Sequence, residues 1–99
     1  MGLRNLPTDV ARPLTSLIDD AEPGRVSSRS LTRLSDVCQI MLLSFAAGES
    51  VSDEEYPADT MYYLLEGCAG ITFAQEGRAP VPLAAGEVLL VPAGVRHAV

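Results

Sequence analysis

The sequence predicts an all-β domain preceded by a short N-terminal arm. From residue 26 onward the apolar and β-branched runs are short, about ten residues at most, and none makes a good isolated helix. Glycines at 67, 77, 86 and 94 punctuate these runs every eight to ten positions. No strand-helix-strand alternation appears.

Residues 1–25 form the arm: Pro7, Pro13 and the Pro23-Gly24 pair interrupt it, and Leu14, Leu17 and Ile18 offer at most one helical turn. Residues 26–99 form the β domain, with strands expected at 26–34, 37–46, 60–66, 69–75, 80–84 and 88–91 and one beginning near Arg96. Within 67–86 the chain reads as a hairpin whose tip is Gln75-Glu76-Gly77-Arg78, with Gly77 free to take positive φ. Val88-Leu89-Leu90-Val91 is continuously apolar and stops at Pro92, so it reads as a central strand covered on both faces. Pro92-Ala93-Gly94 then reverses the chain.

A chain of 99 residues fits one core, and 47% hydrophobic against 20% charged residues sets it apart from disordered sequences. Seven basic residues, all arginine, oppose thirteen acids for a net charge of −6, which disfavours a grip on nucleic acid. The charge is uneven: residues 1–35 hold five arginines and four acids, whereas 36–99 hold two arginines and nine acids. Such a division suits an arm that packs on another subunit, or simply a solvated surface. The N-terminus lacks the apolar core of a secretory signal, and the stretch from Val37 to Ala47, broken by Gln39 and Ser44, falls short of the ~20 residues that span a bilayer. Cys38 and Cys68, with no CxxC, read as two free buried thiols in a reducing compartment. A cytoplasmic protein without membrane or nucleic-acid partners is expected.

Two spaced motifs carry the chemistry. Gly86, Pro92, Gly94 and His97 fit G-x5-P-x-G-x2-H at every fixed position. Upstream, Gly48, Glu54, Tyr56, Thr60 and Gly67 keep the frame of G-x5-H-x-H-x3-E-x6-G, but Glu54 and Tyr56 stand where that pattern has histidines and Thr60 where it has glutamate. Over residues 37–99 the chain thus resembles the cupin superfamily, in particular small single-domain RmlC-like cupins. The resemblance implies a jelly-roll barrel (a double-stranded β-helix) with a pocket in its mouth, and a homodimer formed by exchange of N-terminal strands, here Val26 to Leu34. It also implies one or two further strands after the histidine. Since the sequence ends at Val99, an exposed edge is expected there unless more chain or a partner's strand closes it.

Of the four positions that usually hold the cupin metal, only His97 keeps its residue type. One imidazole and one carboxylate fall short of the two-His-one-carboxylate minimum for Mn, Fe, Ni or Zn, so no cofactor is expected; the alternative is one divalent transition metal at His97 and Glu54. Asp59 neighbours Thr60, and on a regular strand it points to the other face. Glu54, Tyr56, Thr60 and His97 are the candidate pocket residues, with Glu54 and His97 expected to pair. Each also has a plainer role available: His97 as a hydrogen-bonded barrel residue, Glu54 in the solvated run Asp53-Glu54-Glu55, the tyrosines as packing residues with wet hydroxyls, and Thr60 as a strand residue. Small-molecule binding without the usual metal is the expected function. The alternatives are a metal-dependent isomerase or dioxygenase with atypical ligands and a structural module with a filled barrel.

Overall fold

Glycine spacing translates into strand ends. The computed structural model describes residues 2–33, 38–51 and 54–99. Among these, the strands are β1 (Val26–Ser30), β2 (Met41–Phe45), β3 (Thr60–Tyr63), β4 (Cys68–Phe73), β5 (Val81–Ala84), β6 (Val88–Val91) and β7 (His97–Ala98). A single 3-10 turn spans Leu14–Leu17, where the sequence offers one helical turn. The fold class is all-β, and each strand lies within or against its expected range. Leu34 and Val37, at the expected ends of the first two strands, lie outside the described residues. The chain forms two compact units, Met1–Glu49 and Ser50–Val99.

In the N-terminal unit β1 and β2 pair antiparallel, from Val26 opposite Phe45 to Ser30 opposite Met41. The opening residues are tied beside β1: Leu3 bridges Thr32, the Arg4 N–H donates to the Leu31 carbonyl (2.9 Å), and Asn5 Nδ2 donates to the Ser30 carbonyl (2.8 Å). Leu31, Leu42 and Thr32 are buried, and the Thr32 hydroxyl accepts the Ile40 N–H (3.0 Å), which satisfies a polar group taken out of water.

In the C-terminal unit β3 pairs with β6, and β4 lies between β5 and β7, all antiparallel. The hairpin is as expected: Ile71 faces Val81, Gly77 has φ 76°, and the Arg78 N–H closes onto the Gln75 carbonyl (3.1 Å). Ile71, Phe73 and Val91 form the core, with Tyr62, Val81, Leu89, Val95 and Val99 packed against them. Full burial of an apolar side chain of this size contributes about 1.5–3 kcal/mol, so these contacts fix which face of β3, β4 and β6 points inward.

Three expectations are corrected. Val88–Val91 is covered on one face only: Leu89 and Val91 turn inward, while Val88 and Leu90 are 58% and 57% exposed. A continuous apolar run cannot by itself reveal which alternate residues find cover. Both cysteines are exposed, because Cys68 opens β4 in its outward phase and Cys38 sits in the connection between β1 and β2. Finally, β7 is not a bare edge. One side pairs with β4; on the other, Val51 and Val99 exchange N–H···O bonds (3.1 and 2.9 Å), as do Glu54 and His97 (2.7 and 2.9 Å).

Candidate functional site

The turn after β6 aims His97. Gly94 adopts φ 77°, its N–H donates to the Tyr56 carbonyl (2.8 Å), and the Ala93 N–H donates to Asp59 Oδ1 (2.9 Å). Asp59 therefore clamps the turn rather than entering a ligand set. The chain returns as β7 with the His97 ring inward and 1% exposed.

Both nitrogens of that ring are engaged. Nδ1 lies 3.0 Å from the Val95 carbonyl, which can only accept, so Nδ1 carries a proton. Nε2 lies 2.7 Å from the Tyr62 hydroxyl, and in the neutral imidazole it accepts that phenolic proton. The Tyr62 ring meets the imidazole edge-on, with centroids 5.5 Å apart. A second pair stands beside the first. The Tyr56 hydroxyl donates to Glu54 Oε2 (2.9 Å), and its ring centroid is 6.0 Å from that of His97.

Glu54 and His97 are thus backbone neighbours, but the expected side-chain pair between them is not made. Tyr62 and Val95 take the imidazole, and Tyr56 takes the carboxylate. Thr60 opens β3 opposite Val91, two residues from Tyr62 and so on the same face. Partial burial, the hydrogen bond to Glu54 and that residue's negative charge push the Tyr56 phenol up to about 12, although the ring remains 41% exposed. Burial first, then the Glu54 charge, also raises the Tyr62 phenol.

Neither a known family's profile nor a curated protein matches the chain. Solved structures do. A cupin superfamily protein from Desulfitobacterium hafniense DCB-2 is 46% identical, with a TM-score of 0.89 over 99% of this chain and 85% of that one. The chain belongs to the cupin superfamily. A conserved protein of unknown function from Streptococcus pyogenes is also similar, at 28% identity and a TM-score of 0.85, covering 99% of this chain and 82% of that one.

Cupin membership raises the question of a metal, and the donors at the motif positions of this cupin do not suit one. The single imidazole spends Nδ1 on a carbonyl and Nε2 on a phenol, the one carboxylate, Glu54, accepts from Tyr56, and the other two motif positions offer only a phenol and an aliphatic hydroxyl. Among the described residues no three His, Cys, Asp or Glu side chains converge. Ligation would require breaking the buried Tyr62–His97 bond and finding donors that this set lacks.

Tyr62 was missed as a site residue by sequence reasoning. Counting by twos from Thr60 puts Tyr62 in phase with the motif position and Tyr63 out of phase, and that period was the available signal. Two open hollows of about 490 and 400 Å³, lined by residues 16–29 and by residues from Asn5 to Arg29, lie in the N-terminal unit and include none of the four candidates. Among the described residues no helix of this cupin is long and apolar enough to cross a membrane.

Proposed function

We propose that this cupin domain binds a small molecule without a metal, at the cluster formed by Glu54, Tyr56, Thr60 and His97 together with Tyr62. The supporting observation is two neighbouring hydrogen-bonded pairs, Tyr56 with Glu54 and Tyr62 with His97, whose Tyr56 and His97 ring centroids are 6.0 Å apart, beside an apolar core. Such a patch orients a ligand at little conformational cost. A thermal-shift screen of small metabolites against chelator-treated protein tests the reading. Hits should survive chelation and disappear in Tyr62→Phe and Glu54→Gln. Stoichiometric metal in purified protein that is lost in His97→Ala would instead favour a metal-assisted enzyme.

The working form under this proposal is a homodimer. On the outer face of the β3–β6 ribbon, Met61 stands opposite Leu90 and Tyr63 opposite Val88, all four more than half exposed. This uncharged apolar face lies on a chain carrying a net charge of −6, so it is a place where two like-charged copies can meet with least repulsion. Exchange of the strand from Val26 to Leu34 is the alternative route to the same dimer, and cross-linking from either element separates the two. A cytoplasmic location accords with such a reduced, ligand-binding protein.

A further inference from the structure

We infer that the ligand of this cluster is a protonated amine, held by hydrogen-bond acceptors. The inference rests on the cluster being a binding site, and it follows from counting protons. The Tyr56 hydroxyl donates its hydrogen bond to Glu54, the Tyr62 hydroxyl donates to Nε2 of the neutral His97 imidazole, and His97 Nδ1–H donates to the Val95 carbonyl. The backbone N–H groups of Glu54, Gly94 and His97 are committed as well. What remains to offer a visitor is the second carboxylate oxygen of Glu54 and lone pairs on the Tyr56 and Tyr62 hydroxyls. The Thr60 hydroxyl can serve either way. A guest that brings its own donors completes this set, whereas one that brings only acceptors finds a donor in the Thr60 hydroxyl alone and lone pairs elsewhere.

Charge selects further. Of the two arginines in residues 50–99, Arg96 faces Glu55 (3.8 Å) and Arg78 lies over the Phe73 ring (3.9 Å). Neither pairs with Glu54, whose partner is a neutral phenol. Burial is the larger cause of both raised phenols, and the Glu54 charge adds to it in each case.

The test compares three probes of one shape, benzylamine (cationic), benzyl alcohol and benzoate, by NMR titration at pH 7 with the His97, Tyr56 and Tyr62 resonances as reporters. Benzylamine is expected to bind at least about tenfold more tightly than benzyl alcohol, benzoate to leave the reporters unmoved, and Glu54→Gln to erase most of the cationic preference. Equal or tighter binding of the alcohol or benzoate at the same residues overturns the amine assignment but leaves the cluster as a site. If all three probes leave the reporters unmoved up to the millimolar range, both readings fall. The comparison on unmodified protein decides the matter even if the variant does not fold.

Discussion

The Tyr62 hydroxyl on β3 donates a hydrogen bond to Nε2 of the neutral His97 imidazole on β7, 2.7 Å away and thirty-five positions later in the chain. The bond ties together the two motifs whose spacing survives in the sequence, and it does so with a residue that belongs to neither motif's fixed positions. It also occupies the nitrogen that metal ligation would need.

Tyr62→Phe leaves a buried ring nitrogen without its donor. The variant should lose about 1–3 kcal/mol of stability by urea unfolding at pH 7. A double-mutant cycle with His97→Leu should show coupling of more than about 0.5 kcal/mol. Additive losses would mean that the bond contributes nothing of its own.

Tyr56 titrates near 12 in the folded chain against 10.0 for a free phenol, so folding favours its neutral form. The stabilisation is complete below pH 10 and is lost as pH rises from 10 towards 12, because the unfolded chain can ionise first. Wild type should therefore lose stability more steeply than Tyr56→Phe across that window in denaturant titrations. Ultraviolet titration should find a late-ionising phenol that shifts downward in Glu54→Gln.

Asp59→Ala removes the acceptor for the Ala93 N–H in the turn that aims His97. A loss of about 0.5–1.5 kcal/mol is expected, with faster hydrogen exchange at Ala93. Asp59→Asn keeps an acceptor oxygen and should recover most of the protection.

On the outer ribbon face, Leu90→Asp places a carboxylate amid Met61, Tyr63 and Val88. Sedimentation velocity at micromolar concentration should show a dimer for the unaltered chain and a monomer for the variant, with unfolding midpoints that stay close. A monomer in both removes the dimer proposal.

Much of this architecture was legible in the residues. Val88 to Val91 was located to the residue, since Gly86 and Pro92 bound it on both sides, and the Gln75–Arg78 turn followed from Gly77. Burial was less legible. Val88 and Leu90 are chemically indistinguishable from their buried neighbours, so their exposure depends on what covers the ribbon, and Cys68 lies outward through its phase on β4. At the site, spacing gave His97 its inward orientation, but the partners of its ring depend on side chains converging from other strands. The Glu54–His97 pairing was a reasonable match of charge types; it was displaced by Tyr56 and Tyr62, which reach the same groups from β3 and the segment before it.

The outward cysteines also make the molecule easy to instrument. Cys38 belongs to the N-terminal unit and Cys68 to the C-terminal one, and both are free thiols facing solvent. Maleimide dyes can therefore be attached to each half of the native chain, by single Cys→Ser replacement or by sequential coupling, without touching Tyr62, His97 or the core. Energy transfer between such dyes would follow the separation of the halves directly while an amine is added.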